Sequence, residues 1–96
     1  MDILIEHEES VSKGRFYVED DGKTLAEMTY SIAGPHKIII DHTEVDESLK
    51  GKKVGFNLFL AAVNYAREAE KKVLPLCPFA KAQFDRHQEY RDVLLP

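Results

Sequence analysis

Three lysines and a glycine crowd into four positions at Lys50-Gly51-Lys52-Lys53, and Gly55 follows two residues on. The run comes after an isoleucine-rich segment, Ile38-Ile39-Ile40, and leads into apolar residues that recur at helical spacing. That order has a chemistry. The first backbone N–H groups of a helix lack intrahelical partners and point outward at the positive end of its dipole. A glycine lets an anion approach the backbone closely, and lysines raise the local potential. A phosphorylated ligand fits such a turn. A solvated strand-to-helix turn that binds nothing fits the same residues. Neither GxGxxG nor GxxxxGK[ST] occurs, so the pattern supports neither a Rossmann dinucleotide site nor a P-loop.

Cys77 is the only cysteine, set between Leu76 and Pro78 where a short strand is predicted to end. Loops at strand ends carry function in open α/β sheets. The thiol reads either as a small buried hydrophobe or as a nucleophile activated by a base or a helix N-terminus. One cysteine excludes an internal disulfide and a four-cysteine zinc site. His42 and Glu44 lie two apart on a predicted strand, so they share a face, while Asp41, Thr43 and Val45 are expected on the other. His42 is a structural hydrogen-bonder or a general base; Glu44 is a solvated carboxylate or a second base. His7 and His36 fall in predicted loops without partners at metal-ligand spacing, so no metal site is predicted. Phe79, Phe84 and Tyr90 read as core anchors of the last helix.

These residues need a scaffold, and 96 residues supply one domain with one modest core. At 44% hydrophobic and 31% charged, the chain has the composition of a folded globular protein, which excludes a disordered or fibrous one. Strands are predicted at Ile3-Leu4-Ile5, Arg15–Glu19, Thr24–Ile32 and Lys37–Val45, with turns at Asp20-Asp21-Gly22-Lys23 and Ala33-Gly34-Pro35-His36. The isoleucine run suits a central strand buried on both faces. A helix is predicted from Val54 to about Lys72, then a strand over Lys72–Leu76 and a short helix over Phe79–Arg86. A meander followed by a β-α-β unit implies a mixed α/β sheet.

Charge is divided along this scaffold. The chain has a net charge of −4, but residues 1–47 hold 12 acids and 4 bases, while residues 48–96 hold 5 acids and 9 bases. The sign changes at the lysine turn. The acidic balance argues against a general nucleic-acid binder. No apolar run approaches the roughly 18–20 residues that cross a membrane. The acidic start, Met1 to Ser10, lacks the basic flank and long apolar stretch of a signal peptide. A reducing, cytoplasmic setting is therefore the expectation.

The Lys50-Gly51-Lys52-Lys53-Val54-Gly55 segment, opening a helix after a buried strand, resembles the acyl-CoA loop of the GCN5-related N-acetyltransferases. That family's pattern is Arg/Gln-x-x-Gly-x-Gly/Ala. Lys50 takes the place of the Arg or Gln, Lys53 that of the first Gly, and Gly55 matches the last. Asp41-His42-Thr43-Glu44-Val45, Pro75-Leu76-Cys77-Pro78-Phe79-Ala80-Lys81-Ala82 and Phe84-Asp85-Arg86-His87-Gln88-Glu89-Tyr90 resemble a minimal single-domain subgroup. The resemblance runs from about Phe16 to Leu94, and like that subgroup the chain shows no helix pattern before Val54.

The resemblance implies a truncated acetyltransferase fold, with a mixed, mostly antiparallel sheet in the order β-β-β-β-α-β-α. It implies acetyl-CoA as acetyl donor, held by Val45, Lys50, Gly51, Lys52, Lys53, Val54, Gly55, Cys77 and Phe79. His42, Cys77 and Glu44 become the candidate catalytic residues. Arg86, His87 and Tyr90 either hold the terminal segment or contact the cofactor. The acceptor would be an amine-bearing small molecule, peptide or protein that attacks the thioester directly. The alternative is a CoA-binding or protein-interaction module without turnover.

Overall fold

The computed structural model describes residues 3–96; Met1 and Asp2 of the acidic start lie outside the described residues. Five strands pair in chain order. β1 (Glu6–Glu9), β2 (Lys13–Asp20), β3 (Lys23–Ile32) and β4 (Lys37–Val45) are antiparallel, and β5 (Lys72–Pro75) runs parallel to β4. The crossover to β5 is α1 (Val54–Glu68), and α2 (Pro78–Arg86) follows. Short 3₁₀ turns at Glu47–Leu49 and Gln88–Val93 complete the order. The predicted α/β class and the β-β-β-β-α-β-α order are those observed.

The β2–β3 turn forms because Asp21 (φ 53°) and Gly22 (φ 77°) both take left-handed backbone, the geometry that matches the twist of a two-residue hairpin. α1 buries Val54, Leu58, Phe59, Ala62, Val63 and Ala66 against Phe16, Val18, Ala26, Met28, Tyr30, Ile38 and Ile40 of the sheet. Truncating Leu58 or Phe59 would cost about 2–5 kcal/mol, since both are fully buried. α2 lies beside α1, with Phe84 edge-on to Phe59 at 4.9 Å between ring centroids. Both helices thus occupy one face of the sheet. The other face, with Arg15, Tyr17, Glu27 and Thr29, is half-buried and has no helix over it among the described residues. Arg15 knits that face, pairing with Glu8 at 2.6 Å and Glu27 at 3.0 Å.

Three expectations need correction. The first strand is Glu6–Glu9, not Ile3–Ile5, so His7 lies in a strand and not in a loop. His7 pairs with Phe16 and Glu6 with Tyr17, and the ladder stops where β2 becomes irregular at Val18/Glu19. Ile3 and Ile5 still pack against the core, while Leu4 is exposed. α1 ends at Glu68 rather than Lys72. Glu70 turns left-handed (φ 54°), and Lys71 N–H donates to Ala66 O at 2.8 Å while Glu70 N–H donates to Arg67 O. This is a Schellman stop built on a glutamate instead of a glycine. Finally, β4 bulges at Asp41: Tyr30 pairs with Ile40, yet Thr29 pairs with His42. The extra residue flips the alternation. Asp41 therefore joins the face of His42 and Glu44, and its carboxylate accepts from Ser31 Oγ at 2.6 Å. Thr43 and Val45, opposite Met28 and Ala26, alone keep the helix-side face.

At the edge, His7 stacks on Phe16 at 4.2 Å between centroids. Tyr30 Oη donates to Glu9 Oε1 at 2.8 Å and so accepts from His7 Nε2–H at 2.6 Å. Tyr65 Oη also donates to Glu9, tying the end of α1 to β1.

Candidate functional site

Beyond Val45 the chain makes its 3₁₀ turn, with Asp46 accepting from Ser48 N–H at 3.0 Å and Leu49 buried as its anchor. It then passes through two left-handed residues, Gly51 (φ 78°) and Lys53 (φ 58°), before α1 begins. Lys53 is the N-cap and offers no side-chain cap. Lys50 and Lys52 N–H groups bond back to Glu47 O and Leu49 O. Those of Gly51, Lys53, Val54, Gly55 and Phe56 find no acceptor among the described residues. The turn therefore presents a concave set of free donors at the positive end of a 15-residue helix. Lys53 holds left-handed backbone at the position where the family pattern has glycine, and that backbone costs a non-glycine residue about 1 kcal/mol or more.

Gly55 has a different reason to be glycine. A Cβ there would stand 2.8 Å from Phe79 Cζ. The Phe79 ring lies directly on the head of α1 and fixes how α2 approaches it. Between the two helices runs a groove of about 490 Å³. Val45, Leu49, Lys50, Gly51, Lys53, Val54, Gly55 and Phe56 line one side, and Phe79, Gln83, Arg86 and His87 the other. Of the residues expected to hold the cofactor, Lys52 and Cys77 are outside this lining. Leu49, Phe56 and Gln83 were not singled out by sequence. The signal for Gln83 is its spacing: positions 79, 83, 86 and 87 fall on one helix face.

The groove's lining includes Lys50, Lys53 and Arg86 and no carboxylate. Lys50 Nζ is held by Glu47 at 3.0 Å, with both groups exposed. A larger hollow of about 560 Å³ opens near β1 and β2, but it mixes Lys13 and Arg15 with Glu8, Glu9 and Asp41. Its charges offset one another, and Arg15 is already paired. Of the two, the smaller groove is the candidate anion site, since its lining carries cations and no carboxylate.

The three candidate catalytic residues are divided between the two faces of β4. β4 and β5 pair only from Lys37 to Ile40, and both Leu76 and Cys77 N–H groups converge on Ile40 O at 3.1 Å. There the strands part. Cys77, buried at the N-cap of α2, donates from Sγ to Thr43 Oγ1 at 3.2 Å. Thr43 lies on the helix-side face of β4. His42 and Glu44 project from the other face, exposed, with Nε2 and Oε2 3.7 Å apart.

A four-strand antiparallel meander runs into a parallel β-α-β unit whose crossover helix opens on a lysine-rich nest of free N–H groups. That combination defines an acetyltransferase-type class of fold. The chain belongs to the GCN5-related N-acetyltransferase family, whose pattern matches residues 15–93. A GCN5-like protein of Staphylococcus aureus, solved by NMR, is 38% identical with a TM-score of 0.73, over 94% of this chain and 87% of that one. A ribosomal-protein-alanine N-acetyltransferase from Brucella melitensis biovar Abortus is 16% identical with a TM-score of 0.60, over 91% of this chain and 64% of that one. The enzyme AAC(6')-Iy, in complex with a CoA-containing bisubstrate analogue, is 13% identical with a TM-score of 0.53, over 84% and 62%. The last two share the fold. No curated protein matches the chain by sequence.

Proposed function

We propose that the chain is an N-acetyltransferase that takes acetyl-CoA as donor and an amine as acceptor. The observation behind this is the groove: the free N–H donors of the Lys50–Phe56 segment and the cations around them, on an otherwise acidic protein, would seat a pyrophosphate. Lys50, Gly51, Lys53, Val54 and Gly55 would hold the phosphates, with Lys52 adding charge from the rim. Val45 and Phe79 would flank the start of the pantetheine arm. The parting of β4 and β5 leaves the route to Cys77, and a backbone N–H near Val45 would polarise the thioester carbonyl.

An attacking amine must be neutral and must give up a proton as the new C–N bond forms and the C–S bond breaks. His42 would receive that proton, with the Glu44 carboxylate close to its ring. Cys77 would line the acetyl end, its thiol hydrogen-bonded to Thr43. A covalent acetyl-cysteine relay is the variant of this scheme that mass spectrometry tests. The uncovered sheet face beside His42 leaves the acceptor side open, which suits an amine presented by a small molecule, a peptide or a protein. Among the described residues, no helix is long and apolar enough to cross a membrane. A reducing, cytoplasmic setting suits the single free thiol.

The openness of that face also favours a second reading, a CoA-binding module without turnover. One experiment separates the two: acetyl transfer measured over amines, peptides and basic proteins, with His42→Ala and Cys77→Ala beside the parent chain. Turnover that falls at least tenfold in His42→Ala supports the enzyme. CoA binding without transfer to any acceptor supports the module. Unchanged turnover in both variants removes the catalytic assignment.

A further inference from the structure

One wall of the groove is a single face of α2, presenting Phe79, Gln83, Arg86 and His87 at spacings of four, three and one. Phe79 packs against Gly55 and is accounted for by that contact. His87 packs against Phe56 and Tyr90, whereas the side chains of Gln83 and Arg86 have no comparable contact. Gln83 is the one buried polar residue of the described chain, 6% exposed, and its side-chain amide has no hydrogen-bond partner among the described residues. No fully buried side-chain nitrogen or oxygen among the described residues lacks a partner, so the Gln83 amide reaches solvent, and in the groove it lines it is free to bond a ligand.

Arg86 is distinctive in the same way. Of the four arginines, Arg15 is paired with Glu8 and Glu27, Arg67 with Asp92, and Arg91 with the carbonyls of Phe84 and Asp85. The Arg86 guanidinium has no acceptor among the described residues, and it lines the groove one helical turn beyond Gln83. His87 closes that end, with its ring 5.2 Å from Phe56. A buried amide and an unpaired guanidinium, adjacent on one helix face, suit a ligand that offers hydrogen-bonding edges and an anion. They lie across the groove from the Lys50–Gly55 seat. A guanidinium fork matches a phosphate monoester in two parallel bonds.

We propose that the Gln83–Arg86 face of α2 reads the phosphoadenosine end of CoA. Gln83 hydrogen-bonds the nucleoside, and Arg86 pairs with the ribose phosphate. Arg86 thereby selects CoA over 3′-dephospho-CoA. This rests on the reading of the groove as a CoA site.

The test is calorimetric titration of the full chain with CoA and with 3′-dephospho-CoA. The parent chain is expected to prefer CoA by about tenfold or more, the worth of a charge-assisted contact. Arg86→Ala, an exposed position, is expected to bind both ligands as the parent binds 3′-dephospho-CoA. Gln83→Met, which keeps the side-chain volume, is expected to weaken both ligands by the same factor and preserve the ratio, with circular dichroism confirming the fold. Equal binding of the two ligands by the parent overturns the proposal, and so does an Arg86→Ala variant that loses affinity for both alike. A Gln83→Met variant that binds as the parent does removes Gln83 from the assignment. If the parent binds neither ligand, the CoA reading itself fails, an outcome distinct from equal binding.

Discussion

Lys53 holds two positions at once: it closes the donor nest in a left-handed conformation, and it charges the groove. The two effects separate by substitution. Lys53→Gly should stabilise the fold by about 1 kcal/mol, because glycine takes positive φ without strain. The same change should weaken CoA binding and flatten its salt dependence, because a cation is lost. Thermal denaturation and calorimetry on one sample check both. A lower melting temperature for Lys53→Gly would sink the strain argument. At this scale the loop was legible, since Lys50 to Gly55 is continuous in sequence and its donors arise from local backbone. Gln83 and Phe56 were not, because their meaning comes from facing one another across two helices. The pairing of Cys77 with Thr43 was hidden for a similar reason: their separation of 34 residues closes only when β5 lies beside β4.

The elements show where local rules were overruled. Four strands and both helices were readable from alternation and helical spacing, but the end of α1 was not, because its stop is Glu70 where a glycine is usual. Glu70→Gly should therefore raise stability by about 1 kcal/mol, seen as a higher melting temperature. A decrease would show that the glutamate side chain matters more than its backbone. The bulge at Asp41 was equally silent, although it decides which face His42 presents.

The tie between β1 and α1 carries a pH signature. Burial holds the His7 imidazole below its ordinary value of 6.5, against the opposing pull of Glu9. The unfolded chain then binds the proton more readily, so stability present above pH 6.5 is lost as pH falls through the folded value. Glu9 is itself held below 4.5, first by the Tyr65 hydroxyl, so its loss follows at lower pH. On the alkaline side Tyr65 is pushed up to about 12, chiefly by burial, so stability declines as pH rises beyond 10. Urea unfolding across pH should show these limbs. His7→Phe should remove the one that begins near 6.5 and leave the others, and an unchanged profile would overturn the assignment.

At the scale of the whole molecule, a net charge of −4 coexists with a groove lined by cations and no carboxylates. The split between acidic and basic halves was visible in the sequence; that the basic half concentrates its free charge between α1 and α2 was a product of folding. If the groove is the CoA site, CoA at a hundred times its dissociation constant adds about 2.7 kcal/mol to the folded state. In a domain this small that raises the melting temperature by on the order of 10 °C. No shift at millimolar CoA would remove the cofactor reading. The sheet's two borders have a separate consequence. The outer side of β5 is already taken, since Leu94 bridges Val73 and Leu95 N–H donates to Val73 O. The outer side of β1 has no strand beside it among the described residues, and its sequence is Glu6-His7-Glu8-Glu9. An open strand invites a second copy to add on, and here three carboxylates in four residues repel one. Acid neutralises that guard while it loosens β1, so assembly into intermolecular β-structure should begin on acidification and spread from this border. Light scattering across pH, with Glu8→Gln and Glu6→Gln moving the onset to higher pH, would show it.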